Sequence, residues 1–316
     1  LMIVDEAHNV APSGRGKYAT DSMRTIAIRS LTPHFEHKLF LSATPHNGYR
    51  ESFAALLELL DNQRFARAVT PDRAQLEAVM IRRMKSELKL RWDGSRRFAE
   101  RMVRHLEVPY TPEERHAHLA LKQYSELRLK SATSEGQRMA AEFVLKLLKK
   151  RLFSSPAAFG ITLEKHIETV GSNKATYSAI KDIDDYSDDY ADDEEYELVT
   201  YEVVSSVSQT LSPLSAQEQD LLNQLRDYAN KASRRPDCKA QTLLDWLDST
   251  LRINGSWNEE RVIIFTEYRA TQKWLFDLLA REGLASGGRL EMIYGGMPNE
   301  QREAIKAAFQ AHPKEA

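Results

Sequence analysis

Leu1-Met2-Ile3-Val4-Asp5-Glu6-Ala7-His8 opens the chain, and Leu39-Phe40-Leu41-Ser42-Ala43-Thr44-Pro45-His46-Asn47-Gly48 follows after one amphipathic stretch. The reading of these two strings decides the fold expected of residues 1–90. Each is a short apolar run that passes at once into polar residues, the pattern of a buried strand delivering a turn. Residues 20–30 between them read as a helix. After Pro45, the side chains Tyr49, Phe53, Leu56, Leu57 and Leu60 recur on one helical face. Strand–helix–strand–helix alternation predicts parallel pairing, and hence an α/β sheet. Pro45 lacks the N–H a ladder needs and so stops the second strand.

Working outward, residues 72–255 give a helical signal. Ala117, Leu121, Tyr124 and Leu127 form one stripe, Phe143, Leu147, Leu148 and Leu152 a second, and Leu243, Leu244, Leu247 and Leu251 a third. The last segment returns to α/β. Val262-Ile263-Ile264-Phe265 reads as a buried strand, and Trp274, Leu275, Leu278 and Leu279 as a helix face. Leu290–Tyr294 reads as another strand, ended by Gly295-Gly296, with Asn299 as N-cap of a closing helix that carries Arg302, Ile305 and Phe309. The opening apolar run looks like the middle of a strand, so the chain is expected to be a fragment cut within a domain.

Composition narrows the function. Over 316 residues the net charge is −2, which excludes a uniformly basic nucleic-acid binder, so any such surface is local. Nine Lys/Arg stand against three acids over 82–104, and eight against three over 122–151, whereas 182–202 holds eleven acids and no Lys or Arg. The two basic stretches fit either phosphate contacts or solvated helix faces. The acidic run reads as a solvated insertion, with mimicry of DNA as the alternative. One cysteine, Cys238, excludes a disulfide framework and a multi-cysteine zinc site and fits a reducing, cytoplasmic setting. No apolar run approaches the roughly 20 residues of a membrane span, so no membrane partner is expected. His34 and His37 have no carboxylate or cysteine pattern beside them and read as ordinary histidines, and Trp92 and Trp246 as core or interface aromatics.

The chemistry centres on Asp5 and Glu6. Ligands bind at the carboxyl edge of parallel strands, and two adjacent acids there can serve different tasks. One can hold Mg²⁺ through water, and the other can polarise the water that attacks a γ-phosphate. The same acids also serve a helix start by complementing its dipole. The hydroxyls of Ser42 and Thr44 are suited to hydrogen-bonding neighbouring carboxylates, or to satisfying their own turn.

Asp5-Glu6-Ala7-His8 followed by Leu41-Ser42-Ala43-Thr44-Pro45 resembles motifs II and III of superfamily-two helicases. The longer string from Leu39 to Phe53 resembles the bacterial and archaeal branch of the Swi/Snf-type DNA translocases, including HepA-like proteins and the helicase of DISARM phage-defence systems. Ile81-Arg82-Arg83-Met84-Lys85, Arg151-Leu152-Phe153-Ser154-Ser155-Pro156, Arg261–Thr271 and Tyr294-Gly295-Gly296 resemble further elements of that family in order. The resemblance implies the C-terminal part of one RecA-like lobe (1–90), a helical insertion with an acidic loop (91–235, loop 182–202), and the start of a second RecA-like lobe (236–316). It implies an ATP-driven motor on double-stranded DNA, with RNA polymerase or defence-system subunits as further partners. Asp5 would hold Mg²⁺ through water and Glu6 would be the catalytic base, while His8 itself reads as an interlobe or phosphate-proximal contact. Ser42, Ala43 and Thr44 would couple hydrolysis to DNA, while Gly295, Gly296, Arg82, Arg83 and Lys85 would contact DNA. The sequence contains no G-x-x-x-x-G-K-[ST] phosphate loop, and Gly14-Arg15-Gly16-Lys17 has the wrong spacing and reads as a loop. The family's arginine fingers are expected after Ala316. The chain by itself is therefore expected to be inactive. The alternatives are a motor subunit of a restriction or phage-defence complex and a non-catalytic DNA-binding or scaffold piece.

Overall fold

A computed structural model describes residues 1–12, 21–45, 50–67, 69–85, 87–171 and 193–312. The strings Gly14–Lys17 and His46–Tyr49, and residues 182–192 of the acidic run, lie outside them. The described residues form two compact units, Leu1–Arg104 and His105–Ala316.

In the first unit, β1 (Met2–Val4) pairs in parallel with β2 (Lys38–Phe40), Met2 opposite Lys38 and Val4 opposite Phe40. The Met2 N–H donates to the His37 carbonyl and the Leu41 N–H to that of Val4, both at 2.8 Å, which extends the ladder at each end. Met2 and Val4 turn inward against Leu56 and Leu59, while Ile3 faces out, as strand alternation requires. The helix α1 (Met23–Leu31) is capped by Ser22, whose Oγ accepts the Thr25 N–H. The helix α2 (Arg50–Leu60) supplies Leu56 and Leu59. A short α3 (Arg73–Val79) capped by Asp72 buries nothing.

In the second unit, α4 (Pro112–Ser131), α5 (Glu135–Ser154), α6 (Pro156–Thr169), α7 (Asp193–Gln209) and α8 (Ala216–Ala232) pack around Tyr124, Val144, Leu148, Phe159, Leu163 and Leu222. Capping boxes at Thr111/Glu114 and Ser215/Glu218 start α4 and α8. The core is not purely apolar. Arg128 donates to Glu218 (3.1 Å) and to the Ser212 carbonyl (2.7 Å), and the Arg128–Glu218 pair is almost wholly buried. The His166 ring lies between the Tyr124 hydroxyl (2.5 Å) and Ser208 Oγ (2.7 Å), so a neutral imidazole satisfies both ring nitrogens.

The helix α9 (Cys238–Leu251) leads into the hairpin of β3 (Arg252–Ile253) and β4 (Ser256–Trp257), turned by Asn254-Gly255 with φ of 53° and 78°. The helices α10 (Arg269–Arg281) and α11 (Asn299–Gln310) complete the unit. Leu244 and Leu247 of α9 meet Leu275 and Leu279 of α10. Pro298, not Asn299, occupies the cap position of α11.

The α/β expectation is overturned. With 58% helix and 4% strand, and only two two-stranded sheets among the described residues, there is no RecA-like sheet. Val262–Phe265 and Leu290–Tyr294 belong to no ladder among the described residues. Val262, Ile264 and Leu290 pack on the α9/α10 cluster, while Ile263 is 60% and Phe265 89% exposed. Alternate burial is the same signal whether an extended segment joins a sheet or lies on helices, and here helices cover it. No described helix is long and apolar enough to cross a membrane.

Burial, with a smaller contribution from the Arg128 charge, pushes the His166 imidazole down to about 3 from an ordinary 6.5. The unfolded chain therefore binds a proton near pH 6.5 that the folded chain refuses until about pH 3, so stability falls as pH drops through that window. Thermal melts from pH 7 to pH 4 should show this loss, and His166→Gln should flatten it.

Candidate functional site

The parallel pairing of β1 and β2 brings the two polar turns to one edge. After Val4 the chain bends sharply, with Glu6 at φ 45°, ψ 47°, in the left-handed region that costs a non-glycine residue about 1–3 kcal/mol. The bend is fixed from inside. Ala7 is buried, and its N–H donates to the Leu41 carbonyl at 2.8 Å. Asp5 and Glu6 are left exposed, and Asp5 Oδ1 accepts the Glu6 N–H at 2.9 Å.

His8 links the two motifs. Its Nδ1 stands 3.2 Å from Glu6 Oε2 and 3.1 Å from Ser42 Oγ, and that hydroxyl accepts the Thr44 N–H at 3.1 Å. A polar chain thus runs from the Glu6 carboxylate through His8 to the Ser42-Ala43-Thr44 turn. Ala43 and Thr44 are exposed. The second Asp5 oxygen has no protein partner among the described residues, and two acids beside open space suit a hydrated Mg²⁺. That ion takes one or two carboxylates and fills its shell with phosphate oxygens and water. The residues present therefore fit the group the sequence implies.

The remaining expected residues are placed elsewhere. Arg82, Arg83 and Lys85 are exposed on the extended run after α3; Arg83 donates to the Arg82 carbonyl, and Lys85 lies 5.4 Å over the Phe98 ring. Gly295 and Gly296 belong to the second unit, in the turn before α11, where Gly296 has φ 83°. Arg269 stacks 3.6 Å over Tyr294 and Gln272 donates to the Ile293 carbonyl (2.8 Å), holding this turn on α10. The described residues hold no cluster of three or more metal-ligating side chains, His34 and His37 included.

Sequence reasoning missed a junction inside the second unit. Arg151 is fully buried, donates to Glu197 (3.0 Å) and packs 3.8 Å from the Tyr268 ring. Glu197 also accepts the Ala270 N–H at 3.1 Å, and the hydroxyls of Ser154 and Ser155 meet Thr271 Oγ1 at 2.7 and 2.8 Å. Two strings singled out separately, Arg151–Pro156 and Arg261–Thr271, therefore touch. Glu197 corrects the reading of the acidic run, since at this position the carboxylate is needed to balance a buried guanidinium. Of the basic stretch 122–151, Arg128 and Arg151 are buried, while Lys146, Lys149 and Lys150 rim a cavity of about 730 Å³ floored by Leu243, Ile264 and Trp274.

If the left-handed bend is set by Ala7 rather than by the acid, Glu6→Gly should stabilise the fold by about 1 kcal/mol in chemical denaturation, since glycine adopts this conformation without steric cost. A destabilised variant would count against the bend. Compared with family models, curated proteins and solved structures, the chain matches none.

Proposed function

We propose that these residues form part of an ATP-dependent motor that moves on double-stranded DNA, of the Swi/Snf translocase type, in a reducing cytoplasm. One observation carries the reading. Asp5-Glu6-Ala7-His8 and Ser42-Ala43-Thr44 meet at the carboxyl edge of two parallel strands, joined through the His8–Ser42 hydrogen bond. Strained backbone at an exposed acid beside such an edge is typical of functional sites.

In this reading MgATP supplies a polarised γ-phosphate and a cation that draws off its charge. Asp5 would hold that cation through water. Glu6 accepts a proton from the attacking water, and His8 holds the Glu6 carboxylate in place. Ser42 and the Thr44 N–H register any movement of that carboxylate, which gives the turn its coupling role. Arg82, Arg83 and Lys85 bind phosphates without sequence preference.

Without a phosphate loop among its 316 residues, this chain alone should turn over ATP negligibly. Multiple turnover by the purified chain, abolished by Glu6→Gln, would refute that. In the intact motor, duplex DNA should stimulate hydrolysis, and Glu6→Gln should lower kcat by about 100-fold or more while leaving DNA affinity unchanged. An unchanged kcat would end the proposal.

A further inference from the structure

Residues 89–97 of the first unit fold into a small hairpin. The Arg97 N–H donates to the Lys89 carbonyl (2.9 Å), Leu90 bridges Arg96, and the Arg91 N–H donates to the Ser95 carbonyl (2.8 Å). A tight turn closes it, with the Gly94 N–H on the Arg91 carbonyl at 3.1 Å and Gly94 at φ 80°. This is the three-residue loop whose last position needs the left-handed conformation, hence glycine. Asp93 is tied into the turn, accepting from the Ser95 N–H (2.9 Å) and Oγ (2.6 Å). Trp92 sits at the tip and is 98% exposed. It is not a core aromatic.

The surroundings of that indole are cationic. Lys89, Arg91, Arg96 and Arg97 lie on the hairpin and are exposed; Asp93 is the hairpin's one acid, and Arg96 pairs at the surface with Glu100 just beyond it at 3.2 Å, a contact that phosphate would replace. Arg97 and Lys85 both lie over the Phe98 ring, at 5.8 and 5.4 Å. An exposed aromatic plane on a cationic hairpin matches a strand of nucleic acid, whose phosphates meet the cations and whose bases stack on the ring. Within a duplex the bases show only their edges in the grooves. A face becomes available where a base is unpaired.

We propose that the 89–97 hairpin is a contact for single-stranded DNA, with Trp92 stacking on an unpaired base and Arg96 and Arg97 holding its phosphates. The choice of DNA rests on the function proposed above. The duplex contacts assigned to Arg82, Arg83 and Lys85 carry no such preference for an open base.

The test is fluorescence anisotropy of labelled oligo-dT, oligo-U and a blunt duplex with the 316-residue chain, without nucleotide. Trp92→Ala should weaken oligo-dT binding by about 5- to 100-fold, leave the duplex unchanged, and be largely rescued by Trp92→Phe. The double variant Arg96→Glu, Arg97→Glu should reduce the dependence of oligo-dT affinity on salt. Trp92 is solvent-exposed, so these variants should melt like the parent chain, which circular dichroism checks. The proposal is overturned if Trp92→Ala binds oligo-dT as the parent does, if it weakens duplex binding equally, or if the parent binds neither DNA. Tighter binding of oligo-U than of oligo-dT overturns the commitment to DNA. Since no ATP enters the assay, its failure leaves the roles of Asp5 and Glu6 standing, and their failure leaves the hairpin standing.

Discussion

The parallel ladder between Met2–Val4 and Lys38–Phe40 is the constraint on which the candidate site depends. Parallel strands deliver their following turns to the same edge, whereas an antiparallel pair joined by a hairpin would send them to opposite ends. Only because the pairing is parallel does His8 reach Ser42 across 34 positions of sequence. Register matters as much as direction. A slip by one residue would turn Met2 and Val4 to solvent and Ile3 into the cluster with Leu56 and Leu59. Two strands of three residues are marginal alone, so the apolar side chains of α2 hold the polar edge in place.

In the second unit, buried charge sets the helix arrangement. The Glu218 carboxylate accepts from Ser215 at the start of α8 and from Arg128 on α4, so the capping box also fixes where the two helices meet. Arg151 does the same for α5, α7 and α10 through Glu197 and Tyr268. Removing one partner of such a pair strands a charge in the interior and costs about 3–5 kcal/mol. A displaced helix would therefore strand these charges as well as open its apolar contacts.

Much of the local structure was legible. The stripes at Ala117–Leu127 and Leu243–Leu251 lie on α4 and α9 with Leu121, Tyr124, Leu244 and Leu247 buried, and the parallel pairing of the first two strands follows from their alternation with helices. On α5 Leu148 and Leu152 of the expected stripe are buried, but Phe143 and Leu147 are only half-buried and the buried face also takes in Ala141, Val144 and Leu145. Three features were hidden for physical reasons. Extended apolar segments at 262–265 and 290–294 look like sheet strands whether or not a partner strand exists. Glu197 is one acid among eleven in its run, and nothing local marks the one that meets Arg151. Trp92 reads as a core or interface aromatic by hydrophobicity, and the turn at Asp93-Gly94 lifts it into solvent.

The central claim is that Glu6 and Ser42 act as one unit through His8. A double-mutant cycle on DNA-stimulated ATP hydrolysis by the intact motor tests it, with Glu6→Gln, Ser42→Ala and the pair together. Residues that share one hydrogen-bonded network give non-additive losses, so the double variant should be little slower than Glu6→Gln alone. Losses that add to within about 0.5 kcal/mol would mean that the acid and the hydroxyl work independently, and would contradict the account.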